Sequence, residues 1–195
     1  MAFLHQVYER SSFSATPEEK LIQRIKCDDK TALEEIFHLY YEGLCRFTLH
    51  LTNSRENVED LVQDIFLKIW SKRENWDPKG SIKAYLFKAA RNQALNFLKS
   101  ERVQKTIVLD TIDEFAPSTS VDPVENVSDN DMLLVVNKSI QKLPQKCRLV
   151  FALSRQDGLS YSEISDILNV SERTVENQIM RALKHLRKDL KKTLG

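Results

Sequence analysis

Apolar residues return every three or four positions through most of this chain, and that period constrains its fold more than any other feature. Leu33, Phe37, Tyr40, Leu44, Phe47 and Leu51 form one such stripe. Val58, Leu61, Val62, Ile65, Phe66, Ile69 and Trp70 form a second, and Val175, Ile179, Ala182 and Leu186 a third. A period near 3.6 buries one face of a helix, whereas a half-buried strand alternates with period two. The chain has only 4 glycines in 195 residues, too few for a many-turned all-β protein. The expected class is all-α, with eight helices and no strand.

Breakers and caps set the boundaries. Thr16-Pro17-Glu18-Glu19 reads as a helix start, with a capping residue, proline at the first helical position and early acids. Helices are expected to about Cys27, from about Lys30 to Thr52, from the Asn53-Ser54 cap to about Arg73, and from the Ser81 cap to about Arg102. Residues 103–130 contain Pro117 and Pro123, are rich in Ser and Thr, and hold no helical period. They read as a linker whose 28 residues could span at most ~90 Å. Four more helices follow, at about Asp131–Lys142, Pro144–Arg155, Ser160–Leu168 and Ser171–Thr193. The expected organisation is an N-terminal four-helix domain over 15–102, an acidic linker over 103–130 and a C-terminal helix-turn-helix domain over 131–193.

The net charge of +1 conceals a division. Residues 1–102 hold 16 basic and 15 acidic side chains, residues 103–131 hold 1 and 7, and residues 132–195 hold 12 and 6. A near-neutral first part, an acidic middle and a basic end point to a polyanionic partner for the last part, although a solvated lysine-rich helix end has the same charge. The three cysteines are scattered without a CxxC pair, which fits a reducing compartment. No apolar run approaches the ~20 residues of a membrane helix, and the N-terminus lacks the apolar stretch of a signal peptide. The expected location is the cytoplasm, without membrane insertion. The four histidines are dispersed and no glycine-rich phosphate loop occurs, so no catalytic residue, metal, cofactor or small-molecule substrate is expected.

Near the C-terminus, a short helix capped by Ser160 is followed by a tight turn at Asn169-Val170 and a longer helix capped by Ser171. The first helix buries Ile164 and Ile167 and is expected to expose Glu163 and Asp166. This is helix-turn-helix geometry, in which the first turns of the second helix enter the DNA major groove. Opposite its apolar stripe lie Glu172, Arg173, Glu176, Asn177, Met180, Arg181 and Lys184. Arg and Asn can pair with guanine and adenine edges, Glu can accept from cytosine, and the later cations suit phosphates. Arg173, Glu176 and Asn177 are the expected base readers.

Two polar faces stand out in the N-terminal half. Glu56, Asp60, Gln63, Asp64 and Leu67 lie opposite the apolar stripe of the third helix, as a solvated face or as a docking surface for a basic protein. On the fourth helix Lys83, Lys88, Arg91, Asn92, Asn96 and Lys99 interleave with Tyr85, Phe87 and Phe97, and Trp76 precedes it. Cations, amides and aromatic faces together suit single-stranded DNA. The aromatics could instead be core, a reading that fits Tyr85 and Phe97 better than Trp76.

Three segments in this order resemble a bacterial RNA polymerase sigma factor of the extracytoplasmic-function (ECF) type, in its compact two-domain form. Glu56–Trp70 looks like the family's second region, Lys83–Leu98 like the part that captures the melted minus-ten element, and Leu143–Leu186 like the fourth region. The resemblance implies that Asp60, Gln63, Asp64 and Lys68 meet the polymerase clamp. It implies that Trp76, Phe87, Asn92 and Asn96 surround an extruded base, with Lys83, Lys88 and Arg91 beside them. It assigns the minus-thirty-five contacts to Ser171, Glu172, Arg173, Thr174, Glu176, Asn177, Arg181 and Lys184. Core RNA polymerase, duplex and melted promoter DNA and an anti-sigma protein are the implied partners. The alternative is a dimeric helix-turn-helix regulator that acts without core polymerase. The sequence departs from the family at Glu176-Asn177-Gln178, where a basic and Ser-rich run is more usual.

Overall fold

The structure is a computed structural model that describes residues 16–103 and 131–194. The expected linker falls almost wholly outside the described residues; Val103 ends a helix. Among the described residues there are eight α-helices, in the order α1 (Pro17–Lys26), α2 (Lys30–Thr52), α3 (Val58–Ser71), α4 (Ile82–Val103), α5 (Asp131–Gln141), α6 (Gln145–Arg155), α7 (Tyr161–Leu168) and α8 (Glu172–Leu194). A 3-10 turn, Arg73–Asn75, follows α3. No strand occurs among the described residues.

The helix starts follow their capping chemistry. Thr16 and Glu19 form a reciprocal capping box at α1, as Ser160 and Glu163 do at α7. The Asp29 carboxylate accepts hydrogen bonds from the Thr31 and Ala32 amides at the head of α2. Bonds from the Thr31 hydroxyl and the Arg24 guanidinium hold that carboxyl down at about 2. One expectation is corrected. Asn53 does not cap the third helix but ends α2 in the left-handed region, at φ 53°, its amide donating to the Leu49 carbonyl. Asparagine tolerates this conformation, and a short turn intervenes before α3 starts at Val58.

In the N-terminal unit α2 lies centrally and packs against α1, α3 and α4. In the C-terminal unit α8 packs against α5, α6 and α7. The two units are also in contact, chiefly through α4 and α7 and more narrowly through α2 and α6. One apolar core runs from Ile25, Ile36 and Phe47 through Leu86 and Phe87 to Leu153, Leu159 and Ile164. A smaller cluster of Leu143, Cys147, Ala182 and Leu186 joins α8 to the α5–α6 corner. Among the described residues no helix is long and apolar enough to cross a membrane.

Candidate nucleic-acid interface

Helix α8 is built as its period requires. Val175, Ile179, Ala182 and Leu186 are buried, and the opposite face is free. Ser171, Glu172, Arg173, Glu176, Asn177, Arg181 and Lys184 are all exposed, whereas Thr174 is half-buried. The Ser171 hydroxyl accepts from the Thr174 amide at 3.2 Å, so it caps α8. Gln178 turns inward, where its side-chain oxygen lies 3.1 Å from the Cys147 thiol. The departure from the family pattern therefore presents two residues to solvent, Glu176 and Asn177, and uses the third for packing. Asn169 ends α7 in the left-handed region and sets the tight turn between the two helices. Further along α8, Met180 and Leu183 line a shallow groove with Lys184, Arg187, Lys188 and Lys191.

Helix α3 buries Val58, Val62, Ile65, Phe66 and Ile69 and turns Asp60, Gln63, Asp64, Leu67 and Lys68 to solvent, with Glu56 exposed in the turn before it. Leu67 is 65% exposed among these polar residues, and Leu39 on α2 is 69% exposed. Leu39 was not among the candidate residues, although its place outside the Leu33–Phe37–Tyr40 stripe was a usable signal.

Helix α4 divides its expected DNA contacts between two stripes. Lys88, Asn92 and Asn96, spaced by four, are exposed along one line. Lys83, Phe87 and Arg91, also spaced by four, are covered to different degrees. Phe87 is 1% exposed and packs against Phe47 at 5.3 Å between ring centroids. The Lys83 ammonium donates to the Asp157 carbonyl at 2.7 Å. Burial lowers the pKa of the half-buried Arg91 guanidinium.

This corrects two assignments. Trp76, expected to face a base, is 4% exposed, with its ring edge-on to Tyr85 at 5.9 Å. Trp76 and Phe87 are the core aromatics, while Tyr85 and Phe97 are only half-buried, the reverse of the expected order. Large rings remove the most apolar area from water, and the angle at which α4 meets α2 decides which rings find that shelter. Glu163 also differs from expectation. It is half-buried and accepts a 2.6 Å hydrogen bond from the Ser81 hydroxyl in addition to capping α7.

Where the units meet, His50 on α2 is held down at about 4 by burial and by the nearby Arg148 and Arg46 charges. Asp157 is pushed up by burial, although the Arg46 guanidinium lies 3.4 Å away. Among the described residues no group of three or more His, Cys, Asp or Glu comes together as a metal site.

These features define a two-unit helical protein with an exposed polar face on the second helix of a helix-turn-helix and a separate exposed acidic face on α3. Comparison with known proteins gives the class a family. The family model described as sigma-70 region 2 matches residues 36–103, and that described as sigma-70, region 4 matches residues 133–186. The ECF RNA polymerase sigma factor SigM of Bacillus subtilis is 26% identical over 80% of this chain and 93% of its own length. SigW of the same species is 24% identical over 89% of this chain and 96% of its own. Among solved structures, the sigma factor RpoE of Bartonella quintana, in complex with the anti-sigma factor NepR, is 26% identical. It covers 81% of this chain and 96% of its own, with a TM-score of 0.56. CnrH, solved with the cytosolic domain of CnrY, shares the fold at a TM-score of 0.55 and 20% identity over 89% of this chain and 97% of its own. The chain belongs to the sigma-70 family, within its ECF group.

Proposed function

We propose that this chain binds core RNA polymerase, directs it to specific promoters and helps to melt the minus-ten element. The observation that supports this most is the separation of three exposed polar faces on three helices, in the chain order of the family's regions. The Asp60–Gln63–Asp64–Lys68 face of α3 is the polymerase contact, with Leu67 supplying apolar area within it. The Lys88–Asn92–Asn96 stripe of α4 receives bases that have left the stack. The first turns of α8 read the minus-thirty-five duplex through Arg173, Glu176 and Asn177, while Ser171 and Thr174 fix the helix start.

The division of labour is physical. Arg181 and Lys184 reach phosphates, so the duplex contact weakens steeply with salt as counterions cease to be released. Unstacking costs a few kcal/mol per step, which the α4 stripe offsets only for bases that fit it. Melting then depends on sequence without nucleotide hydrolysis. Polymerase holds both contacts at one spacing and converts two weak interactions into one tight one. The chain acts in the cytoplasm under an anti-sigma protein, a reading supported by the related RpoE structure solved with the anti-sigma factor NepR.

The test is promoter-directed transcription in vitro with bacterial core polymerase and a genomic fragment library. Discrete starts that share two upstream motifs, lost at least 100-fold in an Asp60→Lys/Asp64→Lys double variant, are the expected result. Transcription indifferent to the chain, together with tight dimeric binding to a palindrome, overturns the reading in favour of an autonomous regulator.

A further inference from the structure

Helix α8 exposes two side chains that a helix built only to hold phosphates has no use for. The first is Glu176, which is exposed and, among the described residues, makes no hydrogen bond or ion pair. It stands one turn after Glu172, a like-charge spacing that weakens a helix. Glu172 lies in the first turn, where the helix dipole favours an acid, but that effect fades before Glu176. Neither helix stability nor attraction to phosphate accounts for this carboxylate. The second is Met180, which is 59% exposed although so apolar a side chain gains from burial. At about 3.6 residues per turn it falls between the lines of Glu176 and Asn177, away from the buried Val175, Ile179 and Ala182.

Base edges in the major groove give both side chains a use. A carboxylate only accepts hydrogen bonds. Guanine presents acceptors, thymine presents a carbonyl, and adenine sets its amino donor beside an N7 acceptor. Cytosine presents its N4 amino group alone, so it is the base that suits Glu176. Every other base, and every phosphate, repels the acid. Thymine adds the apolar group of that groove, its C5 methyl, and the flexible thioether of Met180 can fit against it. Glu176 and Met180 lie four residues apart, or about 6 Å along the helix, which corresponds to about two base steps.

We propose that Glu176 and Met180 set the base preference of the duplex site on α8, Glu176 selecting a cytosine and Met180 a thymine methyl about two steps away on either strand. This rests on the reading of α8 as the minus-thirty-five helix and names the bases it takes. The acid lowers affinity for all duplexes, and least for those that place a cytosine against it. Arg181 and Lys184 supply the attraction that makes such a carboxylate tolerable.

The test uses bacterial core polymerase reconstituted with the full chain and a promoter library randomised over the upstream element. Parent transcripts are expected to be enriched roughly tenfold for cytosine at one position, with thymine favoured about two steps away. Uracil in place of that thymine removes only the methyl, and is expected to reduce transcription by the parent but not by Met180→Ala. Glu176→Gln, whose amide both donates and accepts, is expected to shift the cytosine position towards adenine. Glu176→Ala is expected to lose the cytosine preference while binding every duplex more tightly than the parent. Both side chains are exposed, and circular dichroism melts check that the variants fold. No cytosine preference in the parent, or one that survives in Glu176→Ala, overturns the role of Glu176. Equal use of thymine and uracil by the parent overturns the role of Met180. A loss in Met180→Ala that is uniform across the library does so too, and places Met180 with Leu183 on a protein-binding surface. If the parent directs no transcription at all, the sigma-factor reading fails, and the library is instead selected by direct duplex binding to the full chain. Cytosine and thymine preferences that disappear in the variants then uphold the proposal, and their absence from the parent overturns it.

Discussion

Helices α4 and α8 have similar sequences in outline, each polar and basic with an apolar stripe, yet the fold treats them differently. Helix α8 buries Val175, Ile179, Ala182 and Leu186 against its own unit, and its opposite polar face is exposed. Helix α4 is enclosed by α2, α3 and α7, so apolar packing takes Phe87 and the second unit takes Lys83. The difference shows that residue type nominates a polar contact, but whether the neighbouring helices cover one face or several decides which residues stay exposed. A helix buried along one stripe keeps most of its polar residues exposed, and a helix covered on several sides does not.

The largest expected effect breaks the comparison on the α4 side. Phe87→Ala is expected to lower unfolding free energy by about 3–5 kcal/mol in denaturant titration, the usual range for truncating a buried aromatic. A loss under 1 kcal/mol would mean that Phe87 is not part of the core. On the α8 side, Arg173→Ala is expected to leave the melting temperature unchanged and cost about 1–3 kcal/mol of discrimination at one base pair. Binding to a panel of single-base promoter variants measures this, and uniform weakening across the panel would remove Arg173 from the base readers.

Lys184→Ala is expected to do the converse, weakening all sequences alike and reducing the salt slope of duplex binding by about 1. Asn92→Ala sharpens the contrast within α4. As an exposed residue it should change stability by no more than about 0.5 kcal/mol. Open-complex formation, followed by permanganate reactivity of melted thymines, should nonetheless slow severalfold.

A smaller effect tests the seam between the units. Burial holds the His50 pKa at about 4 in the folded chain against the ordinary 6.5 of a solvated imidazole, so below pH 6.5 the unfolded chain binds more protons than the folded one. Stability is therefore intact near neutral pH and is lost as pH falls towards 4. The contribution between pH 7 and 5 is about 1–2 kcal/mol. Asp157 works in the opposite direction, because its raised pKa makes the folded chain the better proton binder. His50→Gln should flatten the acid limb of the stability profile. An unchanged limb would place its origin elsewhere.

Much of this was legible because it is local. The caps at Thr16, Ser160 and Ser171 depend on residues within one turn, and the stripes on α2, α3 and α8 depend on spacing alone. The acidic face of α3 was legible for the same reason, since the residues opposite a buried stripe must face outward. The start of α3 was missed because Asn53 serves equally as a helix cap or as a left-handed terminator, and its neighbours do not distinguish the two. The aromatic order on Trp76, Tyr85, Phe87 and Phe97 was inverted because each could reach either core or solvent.

By itself the sequence determined the helices, most of their caps, their order and the composition of each polar face, because these follow from interactions within a few residues. Only the tertiary structure decided which α4 residues remain available. It also gave Glu163 to Ser81, Gln178 to Cys147 and Lys83 to Asp157. Partners such as Arg46 and Asp157 lie 111 positions apart, and no local period reports a contact at that separation. Their pairing depends on how two helical units present their surfaces to each other.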